Sequence, residues 1–309
     1  MNKISLPEDI IKYLKSMDNI KSCSRHTLRA YCNDLAQAFD LDRSELWGAF
    51  CEDVSNIKFK NLPFSAPDLA QWGRLSPASR NRKFATLKSF YGWAFENKLT
   101  SEDLSLNLTC PKVPRKIPHF ISVDEVSAVL ATFQGEQSPN AILQKALFLL
   151  LYGGGLRVSE ACNAKWSDLI QEGRALRILG KGGKERIVIL PQPVSSYLQQ
   201  MKQNASGQYV LGDRPLNTRV AYQWIKDRGS RAGLLHNLHP HSLRHSFATH
   251  MLSSGASLRT LQELLGHESL RATEKYTHLS IDQLARTMDQ THPLGSNKTT
   301  KSHSSDNEE

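Results

Sequence analysis

Disulfide and cysteine–zinc frameworks are the first things the chain lacks. Its 309 residues include five cysteines, Cys23, Cys32, Cys51, Cys110 and Cys162, an odd number never arranged as CxxC. Scattered thiols of this kind point to a reducing, cytoplasmic setting. Long apolar runs are missing too. The longest, Ala146–Tyr152, falls far short of the ~20 residues of a membrane span, so no membrane insertion is expected. The opening MNKISLPEDIIKYLKS has no apolar core of a secretion signal and reads as an amphipathic helix. No internal repeat is visible. Acidic residues are outnumbered, 30 against 39 Lys and Arg, giving a net charge of +9 despite the acidic end SSDNEE. A basic excess suits a polyanionic partner, most often nucleic acid.

What is present is enough apolar content, 39%, for one or two cores, and the length favours two domains. The first third reads as helices. Arg25–Phe39 spaces Leu28, Tyr31, Leu35 and Phe39 along one side, with Arg25 and Arg29 on the other. Ser76-Pro77 is a helix start, a hydroxyl cap followed by proline in the first turn. The helix it opens places Phe84, Leu87, Tyr91 and Phe95 on a stripe, with Arg80, Arg82, Lys83 and Lys88 off it. That basic side is either solvated or laid on a nucleic-acid backbone. CPKVPRKIP, from Cys110 to Pro118, holds three prolines and reads as a linker. The expected layout is an N-terminal domain over 1–110, a linker at 111–118, a larger domain over 119–292 and a disordered tail over 293–309.

The larger domain opens with a capping box, Ser122 to Glu125, ahead of Val126, Val129, Leu130 and Phe133. It is mostly helical, with one evident antiparallel pair, Leu176–Leu179 and Arg186–Leu190, joined by the turn GKGGK. Helices follow over Gln223–Arg228, Ser242–Ser253 and Arg259–Leu265. A last helix carries Ile281, Leu284, Ala285 and Met288 on one face. The fold class is therefore mainly α, in two domains, with a small antiparallel β-sheet in the second.

LHPHSLRHSFATH, with His236 just upstream, gathers five of the eleven histidines around Arg244. Three chemistries compete for it. Zinc is disfavoured: His241 and His245 have the four-residue spacing of HExxH, but Ser242 stands where the glutamate base would be, and Arg244 sets a fixed cation beside the metal. Ordinary structural roles suit His236, His239, His245 and His250. A phosphate site suits His241 and Arg244, neighbours on one helix face, because a planar guanidinium grips two phosphate oxygens. The GKGGK turn is not a nucleotide-binding loop. Ala175 stands where its first glycine belongs, and Gly182 where its Ser or Thr belongs.

The remaining parts lie along the chain: Arg157 in LYGGGLRVSE, Lys181 in GKGGKER, His267 in LQELLGH and Tyr276 in YTHLS. These boxes, with PHSLRHSFATHML, occur in the order and spacing of the tyrosine recombinases, or phage integrase family, which the chain resembles over roughly residues 118–292. Within that family it resembles the Xer recombinases, the last boxes being nearer the XerC than the XerD type. SRHTLRAYCNDL resembles the opening of the family's SAM-like core-binding domain.

The resemblance implies a two-domain DNA clamp and a catalytic set of Arg157, Lys181, His241, Arg244, His267 and Tyr276. Tyr276 is expected to attack the scissile phosphate and form a 3′-phosphotyrosyl link. Arg157 and Arg244 hold the non-bridging oxygens, Lys181 protonates the leaving 5′-oxygen, and His241 and His267 handle the remaining proton. Glu160 orients the site or lies on the surface. No cofactor and no metal are expected. Implied partners are double-stranded DNA at a dif-like site, a second Xer-type recombinase in a homo- or heterotetramer, and the FtsK translocase. In such a tetramer the last helix docks on a neighbour; packing on its own domain is the simpler alternative. Competing readings are a phage or mobile-element integrase, a type IB topoisomerase and an inactive DNA-binding architectural protein.

Overall fold

The computed structural model describes residues 6–21, 23–52, 67, 69–109, 120–179, 185–265 and 278–295. The linker expected at 111–118, Lys181, His267, Tyr276 and the tail from 296 onward lie outside the described residues. The chain divides into two compact units between Lys116 and Ile117. Among the described residues, no helix is long and apolar enough to cross a membrane.

In the first unit, α1 (Leu6–Lys21), α2 (Arg25–Ala38), α3 (Arg43–Glu52) and α4 (Pro77–Glu96) enclose Leu28, Leu35, Trp72, Leu87 and Phe90. The expected cap at Ser76 forms, its hydroxyl accepting from the Ser79 N–H at 3.2 Å, and Ser24, not singled out in the sequence, caps α2 in the same way by accepting from the Thr27 N–H at 3.2 Å. The expected α4 stripe needs correcting. Phe90 and Ala94 are buried on it, whereas Phe95 is 43% exposed. Lys83, placed with the basic side, instead turns inward. Its Nζ donates to Asp34 at 2.9 Å and to Gln37 at 2.6 Å, and stands over the Trp72 ring. Arg82 and the Thr86 hydroxyl bind the same carboxylate. A carboxylate buried on α2 requires charged partners, and α4 supplies them at the expense of simple amphipathic patterning.

The second unit is built around α6 (Pro139–Gly153), whose run Ala146–Tyr152 is buried all round. A helix apolar on every side belongs at the centre of a bundle. It packs on α7 (Val158–Asn163), α8 (Gln192–Gln203), α9 (Thr218–Arg231) and α10 (Pro240–Ser253). The capping box starts α5 (Val123–Ala131): the Glu125 N–H donates to Ser122 at 3.1 Å, and the Ser122 N–H donates to the Glu125 carboxylate at 2.7 Å. The sheet has three strands rather than two. β1 (Leu169–Ile170), a short edge without a period of its own, pairs antiparallel with β2 (Ala175–Leu179), which pairs with β3 (Glu185–Ile189). In that register Arg186 stands opposite Ile178.

After α11 (Leu258–Leu265), α12 (His278–Thr291) packs on its own unit. Ala285 and Met288 join the core, and Asp289 accepts from Arg174 at 2.6 Å and from the Gln192 N–H at 2.8 Å. Residues 293–295, assigned to the tail, continue the fold: Leu294 packs against the core and Gly295 is buried. His292 anchors them from a fully buried position. The Leu294 N–H donates to its Nδ1 at 3.0 Å, while Nε2 faces the Tyr152 carbonyl at 3.3 Å. Only the neutral ring with its proton on Nε2 satisfies both neighbours, and burial holds this imidazole down to about 3.

Candidate active site

The site begins where α6 ends. Gly155 has a φ of +59°, and a Cβ there would stand 2.7 Å from the Phe247 ring of α10. Only glycine makes this turn with α10 so close. The turn delivers Arg157 to the start of α7 and leaves the Gly155 carbonyl facing α10, where Arg244 Nη1 donates to it. Arg157 and Arg244, 87 positions apart in the chain, are thus brought to one place.

Arg244 is the more enclosed of the two. Burial, and then the charge of Arg157, bring its guanidinium down to about 10, with Glu160 acting in the opposite direction. Two neighbouring cations, one of them desolvated, make a position where an anion is stabilised and a water less so. His241 lies one turn before Arg244 on the same helix, exposed, with its ring 6.5 Å from that of Tyr222. The helix start is held by His239, whose Nδ1 accepts from the Ser242 N–H at 3.0 Å. Burial and the nearby His241 hold the His239 pKa down, which keeps the nitrogen in its accepting form.

Glu160, left open in the sequence between a site role and a surface role, has a side chain only 7% exposed and lies against Arg157. Its Oε2 accepts the Arg157 N–H at 2.7 Å, and Oε1 accepts Arg157 Nη1 at 2.9 Å. Arg186 of β3 takes the same carboxylate with both terminal nitrogens, at 2.6 and 2.8 Å. Burial alone would raise this carboxyl; the hydrogen bonds from Arg186 and Arg157 overcome it and bring it to about 2. Sequence reasoning missed Arg186. The available signal was its place on the strand, sharing the inward side with Val188, where a cation needs a buried partner.

The other histidines separate cleanly. His245, four residues after His241, sets its ring against Phe120, so the HxxxH pair does not converge. His250 is buried, its Nδ1 2.9 Å from the Tyr152 hydroxyl. His236 is exposed. The described residues therefore bring together Arg157, Glu160, Arg186 and Arg244, with His241 on the same helix as Arg244. Lys181, His267 and Tyr276 lie outside them.

The chain is similar to known proteins in both of its units. Residues 119–282 match the phage integrase family, and residues 10–98 match its N-terminal SAM-like domain. A relative called tyrosine recombinase XerC, from Pelobacter propionicus, is 34% identical over 93% of this chain and 96% of its own. Among solved structures, lambda integrase residues 75–356 bound to DNA superposes with a TM-score of 0.62 at 16% identity, covering 88% of this chain and 95% of that one. The XerH recombinase in a post-cleavage complex with palindromic difH superposes with a TM-score of 0.59 at 20% identity, covering 91% and 93%. These two likenesses support the fold, and the XerC relative and the two family matches carry the conclusion that the chain belongs to the phage integrase family, the tyrosine recombinases.

Proposed function

We propose that the protein is a site-specific DNA recombinase of Xer type, acting on a dif-like site with a second recombinase to resolve chromosome dimers. The observation that carries this reading is the desolvated Arg244 guanidinium set beside Arg157 at the end of α6. Phosphodiester attack builds negative charge on the non-bridging oxygens, and preorganised cations at that position lower the barrier. In the proposed step the Tyr276 oxygen attacks phosphorus and the P–O5′ bond breaks. Lys181 protonates the departing 5′-oxygen, while His241 and His267 hydrogen-bond the phosphate and accept the tyrosine proton. The bond energy is kept in the 3′-phosphotyrosine, so ligation to the 5′-hydroxyl of another strand needs no nucleotide. Two such exchanges pass through a Holliday junction. The arginines act in place of a metal ion.

The XerH and lambda structures are named as complexes with DNA, which supports duplex DNA as the partner here. The proposed assembly is a homo- or heterotetramer with the FtsK translocase as a further partner, in the bacterial cytoplasm. The test is incubation with nicked suicide duplexes carrying candidate sites. An SDS-resistant adduct is expected, absent in Tyr276→Phe with DNA binding retained. An adduct that survives the substitution removes Tyr276 as nucleophile, and cleavage abolished by EDTA removes the metal-free mechanism. Correct integration into a phage attachment sequence but not a dif-like one would favour the mobile-element reading.

A further inference from the structure

We propose that Arg186 is a positioning residue for strand cleavage, which by occupying both oxygens of Glu160 prevents Arg157 from closing onto that carboxylate and keeps it available to the scissile phosphate. This rests on the recombinase reading above. Four donors share the two carboxylate oxygens. Oε1 accepts from Arg186 Nη1 and Arg157 Nη1, and Oε2 accepts from Arg186 Nη2 and the Arg157 backbone N–H. A carboxylate has about four lone-pair sites, so the acceptor is saturated and Arg157 is limited to a single side-chain bond.

The exposures agree with this division of labour. The Arg186 side chain is 10% exposed with both terminal nitrogens committed to Glu160, so it does not itself reach a bound phosphate. The Arg157 side chain is 50% exposed and gives Glu160 one terminal nitrogen. Without Arg186, two acceptor sites open on a buried anion 2.9 Å from Arg157 Nη1. The favoured geometry for a guanidinium beside such a carboxylate is the bidentate fork, which would turn Arg157 inward and offset its charge. Arg244 would then face the phosphate with a weakened partner.

The experiment is single-turnover cleavage of a nicked suicide duplex bearing the dif-like sequence by the full-length protein. It compares wild type, Arg186→Gln, Glu160→Gln and the double variant. A second substrate carries a methylphosphonate at the scissile position, whose neutral methyl group lowers the demand for positive charge. Arg186→Gln is expected to slow cleavage by about tenfold to hundredfold, somewhat less than loss of a direct oxyanion donor, with DNA affinity unchanged. Adding Glu160→Gln is expected to restore part of the rate, because a neutral amide does not capture Arg157. The Arg186→Gln defect is also expected to shrink on the methylphosphonate. A double variant no faster than Arg186→Gln, or a defect equal on both substrates, overturns the proposal and leaves Arg186 as a strand anchor. If Arg186→Gln does not fold, Arg186→Lys, with one donor head instead of a fork, is expected to show a smaller defect, again relieved by Glu160→Gln; no relief overturns the proposal. Absence of any wild-type adduct overturns the recombinase reading itself, which separates the two failures.

Discussion

Asp34 in the N-terminal unit and Glu160 in the catalytic unit are each buried and each held by two cations, one buried and one half-exposed. The half-exposed arginines, Arg82 and Arg157, have side chains that are both 50% exposed. The buried partners, Lys83 and Arg186, are 11% and 10% exposed. Burial and charge count do not tell the clusters apart, but the wiring does. In the first, the exposed arginine gives both terminal nitrogens to the carboxylate, and Thr86 adds another donor. In the second, the buried arginine makes the bidentate pair, leaving the exposed one with a single side-chain bond. The Asp34 cluster is closed upon itself and stabilises a helix pair. The Glu160 cluster presents a cation outward, next to a second one on α10. Which cation gives the carboxylate both of its terminal nitrogens decides whether the cluster closes on itself or leaves a cation facing outward.

The sharpest way to break this comparison is to remove the first carboxylate. Asp34→Ala strands Lys83 as a buried, uncompensated charge and is expected to cost the N-terminal unit about 3–5 kcal/mol, read by denaturant unfolding. An unchanged midpoint would mean that the cluster does not hold α2 to α4. Next, Arg157→Ala is expected to slow single-turnover cleavage by about 10²–10³-fold, roughly 3–4 kcal/mol, with little change in the unfolding midpoint. Large destabilisation with cleavage intact would make the Glu160 cluster structural as well.

Acidification sharpens the contrast further. His292 has its folded pKa lowered to about 3 from 6.5, so the unfolded chain binds the proton first as pH falls. Its contribution is complete above the unfolded value and is lost progressively below it, on the order of 1–2 kcal/mol by about pH 5. His239 acts in the same direction, since protonation removes the cap of α10. Asp9 in the N-terminal unit acts oppositely: burial raises its carboxyl, so it favours folding at low pH. The catalytic unit should therefore lose stability first, and His292→Gln should flatten its dependence in thermal melts across this range. A slope unaltered by His292→Gln would remove that residue as its source. The smallest effect is expected from Arg82→Ala, at most about 1 kcal/mol for so exposed a partner, with the cleavage rate on saturating DNA unchanged.

Much of the scaffold was legible locally. The Ser76 and Ser122 caps and the hairpin strands rest on interactions within a few residues, which a linear pattern records. The inward turn of Lys83 was not legible, since its partner Asp34 lies 49 positions away on another helix. Nor was β1, too short at two residues to show a period. His292 read as the last residue before a tail, because a polar residue's burial depends on the acceptor and donor that the fold brings to it.

Linear order carries the chemistry on offer: which boxes occur, their order, and the Arg157 and His241-x-x-Arg244 groups within them. The tertiary structure alone decided how the charges are shared. A carboxylate lowers its energy by binding whichever guanidinium the folded backbone holds in reach, and no linear spacing says that Glu160 takes its fork from Arg186 on a strand 26 residues away.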